Sequence, residues 1–217
     1  MAHQIYRNSS GQRLPSVTTV LSHVGDKGGL IRWAYNLGRD GSDMDQERVT
    51  SAMIGTLTHS MVEAVIRGTD PYAVRGPVAE LEVARKCFLG FETWLDSTHL
   101  ELVEAEVPLS SERHRFGGCL DMVLRDTAGA LLLGDLKTSN QLYGTYLMQL
   151  GGYALLLEEN QPGIELAGAQ ILRVSKKDGS VHHHAWPRET LELGQRAFLL
   201  ALELYRLEAT LNSAVGK

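Results

Sequence analysis

Cysteine is scarce in this sequence, and long apolar runs are missing. Two of the 217 residues are cysteines, Cys87 and Cys119, and they are too few and too far apart to form a zinc knuckle or an iron–sulfur cluster. We interpret both as buried thiols in a reducing cytoplasm. Residues 1–4 are polar and unlike a signal peptide, and no apolar stretch approaches the length of a membrane span. We therefore expect a cytoplasmic protein that makes no membrane contact.

Positive charge is not in excess either. The formal net charge of −5 at pH 7 argues against a protein that coats nucleic acid non-specifically. It does not exclude an enzyme acting on nucleic acid, because acidic residues at a metal site are neutralised by the ion. A phosphate loop, a dinucleotide-binding fingerprint, a serine-nucleophile elbow and internal repeats are all missing. The length, with 43% hydrophobic and 22% charged residues, is typical of one ordinary globular domain.

The pattern of apolar periodicity, turn residues and helix caps predicts a chain of alternating elements. We predict strands over residues 5–7, 101–109, 117–125, 131–139, 167–174 and 181–186, and helices over residues 17–23, 30–37, 45–67, 78–97, 145–159 and 188–211. Ser16 is the expected N-cap of the first of these helices.

A β-hairpin in the middle of the chain organises the other elements. Its two apolar strands, residues 117–125 and 131–139, are joined by a polar turn in which Gly129 can adopt a positive φ. If the turn is centred on Ala128, residues equidistant from it face each other across the hairpin. The register of the whole hairpin then follows from this one position.

This register predicts a pair of opposed carboxylates. Asp121 lies opposite Asp135, and Lys137 shares the face of Asp135, because strand side chains alternate with a period of two. Leu136 then points into a core. Two carboxylates this close in an apolar hairpin repel each other unless a cation lies between them. The pattern indicates a metal site with a lysine beside it. The alternative is a charge-balanced surface patch, but the leucines at 131–133 mark a buried strand, where charges need partners.

Two neighbouring elements carry further candidate ligands. Gly55, His59 and Glu63 share one face of a predicted helix, and an imidazole can ligate a metal. A helical histidine with an ordinary hydrogen bond and a solvated glutamate are the alternatives. In the strand over residues 101–109, alternation places Val103, Ala105, Val107 and Leu109 on one face and Glu104 and Glu106 on the other. One of these acids could lie beside Asp121, or both could face solvent.

Aromatic and polar side chains indicate contacts with a phosphate backbone. Tyr146, Gln149 and Tyr153 share one helix face one turn after the lysine, an arrangement that suits phosphate and sugar contacts. In the helix at 30–37, Arg32, Trp33 and Tyr35 could contact a nucleic-acid strand, although we favour packing of Trp33 on the core. Residues 182–184 are three consecutive histidines, and they cannot converge on one ion because adjacent strand residues point to opposite faces.

The order of these motifs resembles the PD-(D/E)XK nuclease superfamily, and most closely its RecB/Cas4-like exonuclease branch, which includes phage and mitochondrial genome maintenance exonucleases. The resemblance spans residues 50–160 and rests on these motifs: Gly55 with His59, Glu106, Gly118 with Asp121, Asp135-Leu136-Lys137, and Gln149 with Tyr153. Members that bind an iron–sulfur cluster do so through cysteines that this sequence lacks.

The resemblance implies a fold and a set of site residues. The fold is α/β with a restriction-endonuclease-like core, a mixed central β-sheet flanked by helices, in one nuclease domain over residues 1–217. Residues 1–50 form an N-terminal helical elaboration that walls the site, and residues 51–217 form the core. The implied metal ligands for Mg²⁺ or Mn²⁺ are His59, Asp121, Asp135 and the Leu136 carbonyl. The implied catalytic residues are Lys137, Asp121, Asp135 and Glu106, and the implied substrate-binding residues are Gln149, Tyr153, Thr138, Ser139 and Tyr146.

These residues imply a metal-dependent DNA exonuclease of phage or bacterial DNA recombination, repair or degradation. Phosphodiester hydrolysis needs a Lewis acid and a hydroxide at neutral pH, and a hard cation on carboxylate oxygens supplies both. Lys137 would position or help to deprotonate the attacking water. The expected partners are single-stranded DNA or duplex ends, with a homo-oligomer or a recombination protein as a further partner. A structure-specific or restriction-type endonuclease and a non-cutting DNA-end-binding subunit are the alternatives.

Overall fold

A five-stranded mixed β-sheet lies between two layers of helices in the computed structural model, which describes residues 4–24, 27–139 and 141–216. The elements in chain order are β1 Tyr6–Arg7, β2 Arg13–Leu14, α1 Val17–Leu21, α2 Lys27–Arg39, α3 Met44–Ile66, α4 Val78–Thr98, β3 Glu101–Ser111, β4 Phe116–Arg125, β5 Leu131–Lys137, α5 Gly144–Asn160, β6 Leu166–Val174, β7 Val181–Pro187 and α6 Arg188–Ala214. Residues 1–3 and Asn140, which we placed after the last hairpin strand, lie outside the described residues.

The sheet has the strand order β3-β4-β5-β6-β7. Strands β5 and β6 are parallel and the other neighbours are antiparallel, so α5 forms the crossover that a parallel pair requires. The predicted mixed α/β sheet flanked by helices is confirmed. Both faces of its central strands are buried, which explains why β4 and β5 are mostly apolar apart from Asp121, Asp135 and the residues at their ends.

Two core clusters cover the two faces. The first contains Leu133 and Ile171 of the sheet together with side chains of α1, α5 and α6. The second contains Leu136 and Leu172 of the sheet together with side chains of α3 and α4. Leu136 therefore points into a core, as predicted. Short helix α1 lies in the first cluster, so the N-terminal part of the chain contributes to the core.

Most predicted elements are present, with boundaries shifted by a few residues. Ser16 caps α1, and its side chain accepts a hydrogen bond from Thr19 N at 3.0 Å. Strand β2 was not predicted; it pairs with β1, with Tyr6 opposite Leu14. A two-residue strand has too short a pattern to be recognised from alternation alone.

The predicted alternation over residues 103–109 is wrong. A β-bulge interrupts the pairing of β3 with β4 just after Leu102, and Glu106 has a φ of 52°. Each irregularity changes which side chains point to a given face. As a result, Ala105 packs on the second core cluster, whereas Val107 packs on the first.

The expectation that no stretch approaches a membrane span is wrong for α3. Its 23 residues are, by length and composition, long and apolar enough to cross a membrane. Core helices of globular proteins have the same properties. In this structure α3 packs on α4 and β3, and its Leu57, Met61 and Val62 are buried in the second core cluster.

Helices α5 and α6 cross so closely that two glycines are required at the crossing. A Cβ atom on Gly151 would overlap the backbone of Gly194 and Gln195.

We predict that Gly151→Ala lowers the free energy of unfolding by about 1–3 kcal/mol, because an overpacked core forces the helices apart. Urea unfolding followed by circular dichroism measures the change. Gly38→Ala is the control, because no atom lies within 4 Å of the new methyl group; we expect it to be neutral or slightly stabilising. A Gly151→Ala protein as stable as the parent would contradict the prediction.

Candidate active site

A cavity of about 560 Å³ lies where β3, β4 and β5 approach α3. Its lining combines most of the predicted site residues with the N-terminal segment, as follows: Tyr6, Ser16, Val17, Thr18, Ala52, Gly55, Thr56, His59, Glu106, Gly118, Cys119, Asp121, Lys137, Gln149 and Tyr153. Residues from seven different stretches of the chain therefore meet in one place.

The register of the hairpin is confirmed. Met122 pairs with Gly134 and Arg125 pairs with Leu131, so the hairpin is centred on Ala128. The ladder ends at Met122, one residue before the two aspartates would face each other. Beyond it, the Leu136 N–H donates to Asp121 Oδ2 at 3.0 Å. The two strands diverge here. The Leu136 N–H therefore donates to the Asp121 carboxylate and not to a backbone carbonyl of β4.

His59 connects α3 to three strands. Its Nδ1 lies 2.8 Å from Glu106 Oε1 and 3.6 Å from Asp121 Oδ2, and its Nε2 lies 3.1 Å from the Leu136 carbonyl oxygen. Burial lowers the pKa of His59, but the Asp121 and Glu106 carboxylates outweigh it and raise this pKa to about 9. Without a metal, the imidazole is therefore protonated at neutral pH.

Asp135 and Lys137 form a buried ion pair beside this group. Lys137 Nζ lies 2.9 Å from Asp135 Oδ1 and 2.7 Å from Oδ2, and it lies 5.1 Å from the centre of the Tyr146 ring. Burial lowers the pKa of Lys137, but Asp135 and Asp121 raise it above its usual value. Burial and the Asp121 charge raise the pKa of Asp135, against the opposing effect of Lys137. The lysine is thus held as a cation.

The family model of the PD-(D/E)XK nuclease superfamily matches residues 31–206. The chain belongs to the PD-(D/E)XK nuclease superfamily. A candidate exonuclease from Eubacterium rectale has a similar fold, with a TM-score of 0.50 and 12% sequence identity over 72% of this chain and 66% of that chain. An alkaline exonuclease from Laribacter hongkongensis matches with a TM-score of 0.37 and 15% identity over 71% of this chain and 83% of that chain. No curated protein matches the chain.

The donors in this nuclease-superfamily site fit a hard divalent cation. One oxygen or nitrogen from each of His59, Glu106 and Asp121 lies within 4.8 Å of the others. Adjacent ligands of an octahedral cation with bonds of about 2.1 Å lie about 3 Å apart, close to the 2.8 Å between His59 Nδ1 and Glu106 Oε1. Asp135 Oδ2 is buried and lies 2.7 Å from Lys137 Nζ, so this carboxylate is held beside the group by the lysine.

The group of three differs from the ligand set that the resemblance implies. Glu106 takes the place beside His59 and Asp121, whereas Asp135 is held by Lys137. Glu104 faces away and accepts from Gln161 at 3.3 Å. The left-handed backbone of Glu106 turns its carboxylate toward His59, and a regular alternation cannot predict such a turn.

The glycines of the implied motifs have different roles. A Cβ atom on Gly118 would lie 2.8 Å from Tyr153 Cε1, so this glycine allows the tyrosine to approach the sheet. At Gly55 a Cβ atom would make an ordinary 3.6 Å contact with Thr138 Oγ1. Packing does not require a glycine there. Glu63, which shares the helix face, pairs with Arg67 at 2.6 Å and does not join the group of possible metal ligands.

The implied substrate residues fall into two places. Gln149 and Tyr153 line the first cavity, where Gln149 Nε2 donates to the Tyr153 hydroxyl at 2.9 Å. Thr138 and Ser139 line a second cavity of about 390 Å³, and Tyr146 OH donates to Ser139 Oγ at 3.1 Å.

The preferred interpretation of Trp33 as a core residue is wrong. Its side chain is 38% exposed, and it lines the second cavity. The histidine run behaves as predicted, since His183 Nε2 bonds Gln170 Oε1 at 2.7 Å and its neighbours point elsewhere.

Several residues of the site were missed. Cys119 Sγ lies 3.6 Å from Glu106 Oε2, and burial, followed by that carboxylate, raises the pKa of the thiol far above its usual value. It is an unreactive thiol. Its position two residues before Asp121 could have placed it on the site face. Tyr6, whose pKa burial raises to about 12, lies in the predicted strand over residues 5–7, but no local pattern indicates that this strand packs beside the site.

We predict that binding of a divalent cation releases a proton from His59. A ligating imidazole must be neutral, whereas His59 is protonated below a pH of about 9. The apparent affinity for Mn²⁺ should therefore rise with pH between 6 and 9, by at most tenfold per unit. Calorimetry in buffers of different ionisation enthalpy measures up to one proton released per ion.

The test of this prediction compares the parent with His59→Gln, which has no imidazole proton to release. The matched control is His183→Gln. The His183 ring contacts Gln170 and Trp94 away from the cavity, so His183→Gln should bind Mn²⁺ and release the proton like the parent. Equal affinity at pH 7 and pH 8, with no proton released, would show that His59 does not bind the cation.

Proposed function

We propose that the protein is a metal-dependent DNA exonuclease that hydrolyses phosphodiester bonds. The observation that carries this proposal is the buried Lys137–Asp135 ion pair next to the His59, Glu106 and Asp121 group. A structural protein has no need to bury three carboxylates together, because each buried charge destabilises the fold unless it is compensated.

The chemistry follows from these positions. A bound cation supplies a Lewis acid for the phosphoryl oxygen and lowers the pKa of a bound water. His59, Asp121, Glu106, Asp135 and the Leu136 carbonyl are the groups that would hold it. The remaining work falls to the positively charged lysine and to the polar side chains around it.

In the metal-free site, Lys137 is a hydrogen-bond donor and a positive charge. Asp135 and Asp121 keep its ammonium protonated, so it neutralises phosphate charge and orients the attacking water. Tyr153 OH already accepts a hydrogen bond from Gln149, and its own proton is therefore directed to a substrate oxygen.

The position of the N-terminal segment favours an exonuclease over an endonuclease. Tyr6, Ser16, Val17 and Thr18 line the first cavity together with residues of α3, and a cavity walled by this segment favours entry of a strand end. The Eubacterium rectale protein, which is named as a candidate exonuclease, agrees with this choice.

The finer parts of the proposal concern the ion, the setting and the assembly. A histidine ligand favours Mn²⁺ while still allowing Mg²⁺. We place the enzyme in the cytoplasm, in phage or bacterial DNA recombination, repair or degradation. A homo-oligomer or a recombination partner stays a prediction. Helix α6 has an exposed leucine stripe, with Leu193, Leu200 and Leu207 spaced by seven residues. This stripe is a surface at which binding of such a partner can be tested.

We predict that Lys137→Ala reduces the rate of DNA hydrolysis by about 10²–10³-fold, the loss typical of removing one preorganised donor. The assay uses end-labelled single-stranded and duplex DNA with Mg²⁺, Mn²⁺ or EDTA. Lys177→Ala removes an exposed lysine outside both cavities and should keep full activity.

Closed circular DNA separates the two kinds of nuclease. Degradation that needs a free end supports the exonuclease. Cutting of closed circles would replace it with an endonuclease on the same core. Binding of DNA without cleavage by either metal would leave the non-cutting DNA-end-binding subunit.

A further inference from the structure

The second cavity has the opposite electrostatic character to the first. Its lining includes the cations Arg48, Lys137 and Lys176, the hydroxyls of Ser51, Thr138 and Ser139, and the indole of Trp33. Among the residues that the structure describes, His59 is the other ionisable residue of its lining, which includes no Asp or Glu. The volume of about 390 Å³ is in the range of small-ligand sites. Cations, hydroxyls and an exposed aromatic ring are the groups that proteins use to bind single-stranded nucleic acid.

The two cavities are adjacent. They share Ala52, Gly55, His59 and Lys137, so the surface of α3 around Gly55 forms a common floor. When a nucleic-acid strand binds with its scissile phosphate at the first cavity, the adjacent nucleotide must lie next to that cavity. The second cavity is directly next to the cation-binding group on that path.

Lys176 is the residue that most clearly lacks a partner of opposite charge. It lies half-buried in the turn between β6 and β7, and its Nζ donates to Ser51 Oγ of α3. None of the ion pairs within the described ranges includes it. Burial lowers its pKa, and the more distant Cys87 and Glu47 offset this only in part. A half-buried ammonium that contacts only a hydroxyl is suited to bind an anion.

Trp33 supplies a second, independent feature. It lies on α2 with 38% of its surface exposed, and its ring lines the same cavity as Lys176. A base stacked on an exposed aromatic ring contributes about 1–3 kcal/mol of binding free energy, and it must first leave its own stack. Stacking of a base on Trp33 therefore favours binding of single strands or frayed ends over binding of intact duplex.

We propose that the second cavity is the subsite for the nucleotide adjacent to the scissile phosphate in a single strand. Lys176 and Ser51 bind its phosphate, and Trp33 stacks on its base. This inference rests on the proposed function and adds a strand preference to it. It also explains how a chain of net charge −5 binds a polyanion, since the positive charge lies beside the metal group.

The first test measures the salt dependence of binding. A fluorescent oligothymidylate is titrated with the full-length protein, with Ca²⁺ in place of Mn²⁺, and the strand is checked to be intact. Each phosphate contact contributes about 0.7 to the slope of log affinity against log salt for a single strand. We expect Lys176→Ala to weaken binding and to lower the slope by about 0.7. Lys177→Ala, which removes the same charge from the next residue of the turn, should match the parent.

The second test measures stacking. Trp33→Ala should weaken binding of the oligothymidylate at least about fivefold, while Trp33→Phe keeps most of it. Tyr35→Ala is the control on the same helix, because Tyr35 is 67% exposed and does not line the cavity. A blunt duplex of equal length should show a smaller loss with Trp33→Ala than the single strand.

Cleavage assays on the same proteins separate the two proposals. If the parent degrades DNA but Lys176→Ala and Trp33→Ala bind like their controls, the subsite is wrong and the exonuclease stands. If the parent cuts nothing with Mn²⁺ but both variants lose single-strand binding selectively, the subsite stands and the exonuclease is wrong. Equal losses for single strand and duplex with Trp33→Ala would overturn the strand preference.

Discussion

Repulsion between buried carboxylates is the constraint on which the site depends. Glu106, Asp121 and Asp135 lie in or beside the cavity, and Asp135 is completely buried. Like charges so close in a low-dielectric interior oppose folding unless cations accompany them. The chain provides two, His59 and Lys137, which explains why both have raised pKa values despite their burial. Three acids against two cations leave an excess of one negative charge. When His59 loses its proton on metal binding, the excess becomes two, which a divalent ion neutralises.

The position of this group follows from the end of a β-ladder. Strands β4 and β5 pair as far as Met122 and Gly134 and then separate. Unpaired backbone groups at a strand end need other partners, and Asp121 accepts the Leu136 N–H. The Leu136 side chain meanwhile remains in the second core cluster, so the strand cannot rotate to hide its carbonyl. Packing on one face of the sheet thereby fixes the polar groups at its edge.

The sequence was sufficient for the parts of the site that depend on local geometry. A turn of known length sets the register of a hairpin, and so Asp121, Asp135 and Lys137 could be placed together. Glu106 could be named only as one of two acids, because a bulge and a left-handed residue decide which of them faces His59. Lys176 gave no signal, since a turn between two strands becomes part of a cavity only when α3 packs beside it. Chain segments far apart in sequence meet through tertiary packing, which no local pattern contains.

The separation of acidic and basic groups implies an order of binding. An empty group of three carboxylates repels a phosphate, whatever the attraction of Lys176 and Arg48 in the neighbouring cavity. On the proposed function, a divalent ion held by these carboxylates would reduce their repulsion of a phosphate, and we expect it to bind before the nucleic-acid strand. His59 and Lys137 line both cavities, so a charge bound in the first cavity would also act on the second.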